Sequence, residues 1–203
     1  MQVKIERPTI ASVLPDWASE EAAAAAEPRT VVVFGMPRGG TTMVAGICQR
    51  CGIDMGTDLP KNLEDQDFVN KPLEEMIQSI EQRNATKPVW GWKFPRASAY
   101  LPELEASIRN PLFIIVWRDL LSVATRGIKN TGEMNKSLMI AHKIQNQNLN
   151  FVSATQAPVL HVSYEKSIRA PVALAEDIQR FTGVCKDFDK DELIAFAEPG
   201  SYK

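Results

Sequence analysis

Two stretches of this chain carry side chains whose types and spacing suit the handling of phosphate-like anions. The first runs Gly35, Met36, Pro37, Arg38, Gly39, Gly40, Thr41, Thr42, between an apolar run and a helical pattern. Against the nucleoside-triphosphate pattern G-x-x-x-x-G-K-[ST], Gly35, Gly40 and Thr42 match, and Thr41 stands where the lysine belongs. Glycines let the backbone approach an anion, successive N–H groups turn inward, and the helix that follows adds a favourable dipole. The lysine that reaches the β and γ phosphates is absent, whereas Arg38 offers a planar fork suited to one tetrahedral oxyanion. The second stretch begins at Arg118 and Asp119, with Ser122 and Arg126 following at intervals of four. If a helix starts at Arg118, these basic and hydroxyl side chains share one face and make a clamp for a second phosphate. The apolar run ending in Asp119 also fits a magnesium-binding element, which keeps an ATPase or kinase in play.

Those residues need a scaffold that brings loop ends together, and the pattern of apolar runs supplies one. Thr30 to Phe34 is continuous and β-branched, as a strand buried on both faces should be. A helix is expected from about Thr42 to Cys51, closed by Gly52. Further strands are expected at Pro88 to Lys93, Leu112 to Trp117 and Val159 to Ser163, with helices near 119–130, 135–153 and 171–182. Phe68, Val69, Leu73, Met76, Ile77 and Ile80 recur at helical spacing between the first two strands. Strands separated by helices of this length imply right-handed crossovers, hence an α/β fold: a three-layer, P-loop-type parallel sheet with helices on both faces. Ligands bind such sheets at the carboxyl ends of the strands. Both stretches lie there.

A length of 203 residues, set against about 150 per domain, predicts one domain with an appendage. The expected division is an arm over 1–28, proline-bearing and alanine-rich from Ser19 to Glu27, and a P-loop domain over 29–203. A net charge of −2 argues against a general affinity for nucleic acid or anionic membrane, leaving room for a local basic pocket. With 44% hydrophobic and 24% charged residues the composition is that of a globular protein. No apolar run reaches the roughly 18 residues of a membrane span. No secretory signal is read at Met1 to Lys4, so a cytoplasmic location is expected, in keeping with three sparse cysteines.

Pro37, Arg38, Gly39, Gly40, Thr41, Thr42 resembles the 5′-phosphosulfate loop of the sulfotransferases that use 3′-phosphoadenosine 5′-phosphosulfate (PAPS), and the resemblance covers most of residues 30–184. It implies PAPS as donor, adenosine 3′,5′-bisphosphate as product, and a small-molecule or glycan acceptor with a hydroxyl or amine. Arg118 is similar to the arginine of the family's 3′-phosphate motif, with Leu120 in place of the usual proline and Arg126 in the serine slot; Ser122 or Thr125 are alternative ligands. Lys93, ending its strand, looks like the lysine the family places beside the bridging oxygen and the moving sulfuryl group. Glu64 and Asp65 resemble a Glu-Asp element whose glutamate acts as base; on that resemblance Glu64 is the expected base and Asp65 its reserve, although an acidic helix start explains either. Tyr164, followed by Glu165, resembles a Tyr-Glu element near the nucleotide.

Other chemistry-bearing residues read as structure. His142 lies mid-helix, and His161, inside an apolar strand, reads as a satisfied core histidine. Cys48 and Cys51 form a C-x-x-C inside a helix with no second pair, so they read as buried small residues rather than a zinc or redox site, and no metal is expected. Trp90 and Trp92 share one sheet face and read as packing. Two alternatives stand beside sulfuryl transfer: a P-loop kinase or NTPase, and a non-catalytic nucleotide-binding protein. The latter is motivated by Glu198 to Lys203, which do not reproduce the Arg-Lys-Gly nucleotide segment of cytosolic sulfotransferases.

Overall fold

The computed structural model describes residues 7–12 and 27–201. Strand β1 (Thr9–Ala11) is followed by β2 (Arg29–Gly35), helix α1 (Thr41–Arg50), α2 (Leu73–Thr86) and β3 (Val89–Lys93). A short helix α3 (Leu101–Leu104) leads to β4 (Pro111–Trp117), α4 (Leu120–Thr131) and the long α5 (Met134–Ala154). Then come β5 (Val159–Ser163), α6 (Tyr164–Ser167), α7 (Pro171–Thr182) and α8 (Lys190–Ala197). The sheet order is β1-β5-β4-β2-β3, parallel throughout except for the antiparallel edge strand β1.

Every residue of β2 is buried, because alternate side chains feed two separate cores. Val31 and Val33, with Leu112, Ile114 and Val162, pack against α1, α7 and α8. Val32 and Phe34, with Phe113 and Ile115, pack on the opposite face with α2, α3 and α5, where Phe34, Phe113 and Phe151 meet edge to face. This is the expected three-layer α/β arrangement, and it rests on continuous apolar strands rather than alternating ones.

The expected strands and helices appear within a residue or two of their bounds, except that the helix read from Phe68 starts only at Leu73, behind Pro72, with Phe68 in a separate turn; the chemistry of the ends explains where they stop. Gly52 closes α1 through its N–H to the Gln49 carbonyl, while the Ile53 N–H reaches Cys48. Asp119 caps α4, its carboxylate accepting from the Ser122 N–H at 2.7 Å. Four elements were not expected: β1, the one-turn helices α3 and α6, and α8. Strand β1 is only three residues long, and its apolar content does not separate it from the polar chain around it. Helix α8 is capped by Asp189 and buries Leu193 and Ala197. The alanine-rich stretch from Ser19 lies outside the described residues up to Glu27. Among the described residues no helix is long and apolar enough to cross a membrane.

Strand β2 lies between β3 and β4, so the chain runs to one side of it and then returns to the other. The crevice at such a reversal opens at the carboxyl ends of the strands. Gly35 to Thr42, Lys93, Arg118 and Tyr164 all follow or end strands at that edge.

Candidate functional site

A cleft of about 660 Å³ opens there, walled by the loop after β2, the end of β3, the start of α4 and the loop from Lys61 to Asn70. Six cationic side chains reach it: Arg38, Lys61, Lys93, Arg96, Arg118 and Arg126. Among the described residues, Glu64 is the one carboxylate in its wall.

The glycine-rich loop is shaped by its own hydrogen bonds. The Gly39 N–H donates to the Met36 carbonyl at 2.8 Å, and a Cβ on Gly39 would stand 2.7 Å from that oxygen. Gly39 therefore makes the turn, and Pro37, Arg38, Gly40, Thr41 and Thr42 line the cleft. Gly40 has φ 96, and a Cβ there would collide with the Tyr164 ring at 2.1 Å. Arg38 also has positive φ, 65, a strained state for a residue with a side chain. Arg118 holds it there: its Nη1 donates to the Arg38 carbonyl at 3.0 Å. A buried pair supports the loop from behind, with Asn148 of α5 donating to the Gly35 carbonyl at 2.9 Å and accepting from Ser98 at 2.6 Å.

Tyr164, 3% exposed, is a platform rather than a wall residue. Its ring lies against Gly40 on one side and carries the Arg118 guanidinium 4.1 Å from its centre. Glu165 stands 4.0 Å from Arg118 Nε and accepts from the Asp119 N–H at 3.0 Å. Arg118 Nε is buried without a hydrogen bond, leaving a donor in a site already rich in them. Because Asp119 takes the cap, α4 begins after Arg118, and Arg118, Ser122 and Arg126 do not share one helical face. Arg118 and Arg126 meet in the cleft all the same. Ser122 turns to Asp119, whose carboxyl the Ser122 backbone and side chain hold below its usual range.

Lys93 and Glu64 form the floor. The ammonium is 1% exposed and lies 3.2 Å from Glu64 Oε1, while the glutamate is 22% exposed. Burial pulls the Lys93 pKa below the ordinary lysine value, against the upward pull of Glu64. The loop carrying Glu64 is tied to the phosphate loop, since Thr42 donates to the Asn62 carbonyl at 3.1 Å and the Glu64 N–H donates to the Asn62 side chain. Asp65 is used differently: both its oxygens bind Arg83, at 2.5 and 3.2 Å, and it caps the turn Gln66–Phe68. That engagement leaves Glu64 as the acid facing the cleft.

The remaining residues behave as structure. His161 accepts from Trp117 Nε1 at 3.0 Å, and burial lowers its pKa. His142 touches Asn146 on an exposed helix surface. Cys48 and Cys51 are fully buried free thiols, Cys51 pushed up to about 12 by desolvation. Trp90 and Trp92 stack with Phe68 inside the second core. Lys61, Arg96 and Asn148 were missed. Arg96 lies three residues past a strand end and was open to the strand-end rule; Lys61 and Asn148 carry no such mark.

Two solved structures show a similar fold. A sulfotransferase domain of the olefin synthase of Synechococcus PCC 7002 superposes with a TM-score of 0.59 at 17% identity, over 87% of this chain and 79% of that one. A sulfotransferase domain from the curacin biosynthetic pathway gives 0.53 at 16%, over 87% and 80%. The chain has the sulfotransferase fold. No family model and no curated protein matches it in sequence. Within the sulfotransferase fold, then, the strand-end loops hold a cleft whose walls are cationic and whose floor is a lysine–glutamate pair.

Proposed function

We propose that this protein transfers a sulfuryl group from PAPS to a hydroxyl or amine. The observation that carries the reading is the gathering of six cations around one carboxylate in a chain whose net charge is −2. So uneven a charge distribution at a phosphate loop is an anion site, and the residues fit a donor with an anion at each end. Arg38 and the first-turn N–H groups of α1 face one end, and Arg118 with Arg126 serves the other. Bound there, the donor supplies the sulfuryl group and a phosphate able to leave with the bond's electron pair.

The side chains do the rest. Glu64 takes the proton from the acceptor as its oxygen or nitrogen forms the new bond to sulfur. Lys93, buried and held at the cleft floor, puts a positive charge where the leaving phosphate gains negative charge. Arg118, fixed between the Tyr164 ring and the Arg38 carbonyl, is already in place to receive a phosphate oxygen. Against the kinase reading, Asp119 caps α4 and is not among the residues that line the cleft.

Thermal unfolding with adenosine 3′,5′-bisphosphate tests the proposal. At a free concentration 100 times Kd, binding to the native state adds about 2.7 kcal/mol of stability. The expected result is a clear upward shift with the bisphosphate, without magnesium, that exceeds the shift with adenosine 5′-monophosphate. A larger shift with ATP and magnesium overturns it.

A further inference from the structure

Two of the cleft's cations are surplus to the donor. Lys61 and Arg96 line it beside Glu64 and Lys93, and neither makes an ion pair or a side-chain hydrogen bond among the described residues. Other cations close by in the chain are engaged: Lys87 meets Asp54 at 2.6 Å, and Arg109 donates to the Asn84 and Lys87 carbonyls.

Charge balance says what these two can serve. With a phosphomonoester near −2, the donor brings about four negative charges at neutral pH. Arg38, Lys93, Arg118 and Arg126 answer them. Lys61 and Arg96 then outweigh Glu64 by a single positive charge. Their placement puts that charge on the acceptor's side. Lys61 is carried three residues before Glu64, on the loop tied down through Asn62. Arg96 is carried three residues after Lys93, at the head of the tight turn Ala97–Ala99. Val69, on the first loop, and Phe94 and Pro95, on the second, add apolar surface to the cleft wall.

We infer that the acceptor bears one carboxylate, gripped by Lys61 and Arg96, and presents its hydroxyl or amine to Glu64 from a short apolar body. The inference rests on the sulfuryl-transfer reading and adds to it a class of acceptor. A guanidinium binds a carboxylate through paired hydrogen bonds, so the acid should be favoured over its neutral amide by about tenfold or more.

The test is a panel of matched acceptors, hydroxy acids and amino acids each paired with its primary amide, assayed at saturating PAPS. Wild type should use the acids with at least that advantage in kcat/KM. Arg96→Gln and Lys61→Gln should each collapse the ratio of acid to amide. Both members of a pair share one donor, so the ratio cancels any effect of the substitution on donor binding. Bisphosphate binding, read by calorimetry on the same samples, separates the two levels of the argument. Equal use of acid and amide, use of neither while the bisphosphate still binds, or an unchanged ratio in both variants overturns the inference and leaves the donor reading standing. Absence of bisphosphate binding overturns both.

Discussion

Glu64 and Asp65 are neighbours in sequence, and each is paired with a cation, yet they belong to different worlds. Asp65 is 4% exposed, both its oxygens are taken by Arg83, and it also accepts from the Asp67 N–H. Arg83 is engaged further, binding Asp67 at 2.6 Å and lying 5.2 Å over the rings of Phe68 and Trp90. Glu64 has one contact with Lys93, at 3.2 Å, and its carboxylate opens on the cleft. A pair in which both carboxylate oxygens are bound and the guanidinium is shared with a second acid can do little except hold α2 to its loop. A pair with capacity left over can bind and move a proton. The number of bonds each carboxylate already accepts, three for Asp65 against one for Glu64, separates the structural acid from the chemical one.

Glu64→Gln makes the sharpest test of this contrast. It keeps shape and removes the base, so the transfer rate should fall by about a hundred- to ten-thousand-fold. Stability should fall by less than in Asp65→Asn, since the amide oxygen can still accept from Lys93 but no longer offsets its buried charge. Rate and melting temperature measured on one preparation decide the matter. A near-normal rate would place Glu64 with Asp65, as a cap and nothing more.

Asp65→Asn should do the reverse. It strips one partner from a pair that is nearly closed to water, leaving Arg83 with Asp67 alone. Breaking a buried pair costs about 3–5 kcal/mol, and the surviving Asp67 contact places this one near 3. Urea unfolding reads the loss directly, and the folded fraction should keep its affinity for the bisphosphate. A variant as stable as wild type would erase the distinction between the two pairs.

Much of this contrast is legible in the sequence. Glu64 and Asp65 stood out as acids after a phosphate loop, and Lys93 and Arg118 as basic groups at strand ends. Continuous runs such as Thr30 to Phe34 declared a doubly covered sheet, because only a strand buried on both faces can forgo polar alternation. What the residues could not say was which acid Arg83 would claim, for Arg83 lies eighteen residues from Asp65 and meets it through tertiary packing. The clamp of Arg118, Ser122 and Arg126 failed as a helical face for a local reason: Asp119, one residue on, is the better cap. Asn148 was invisible as well. It is one polar residue among several on a helix of 21, and only its burial against the Gly35 carbonyl distinguishes it.

The smallest effect is the most telling about Lys93. Its ammonium is buried to 1% exposure with a single partner, and desolvation lowers its pKa below the ordinary value of 10.5. The unfolded chain therefore binds more protons than the native one between the lowered value and 10.5. In that window stability rises with pH: the cost of burying the charge is fully present below the lowered pKa and is relieved as pH climbs through it. Lys93→Met keeps an unbranched side chain of similar length and removes the charge. It should abolish transfer, flatten the alkaline rise, and leave stability at neutral pH equal to wild type or higher by about 1 kcal/mol, the low end for exchanging buried ionic groups for apolar ones. Glu64, partly exposed, can recover water for the partner it loses. Urea midpoints across neutral and alkaline pH, for wild type and variant together, give both readings. A variant clearly less stable at neutral pH would mean that Lys93 holds the fold together as Arg83 does, and the ion pair at the cleft floor would then be structural too.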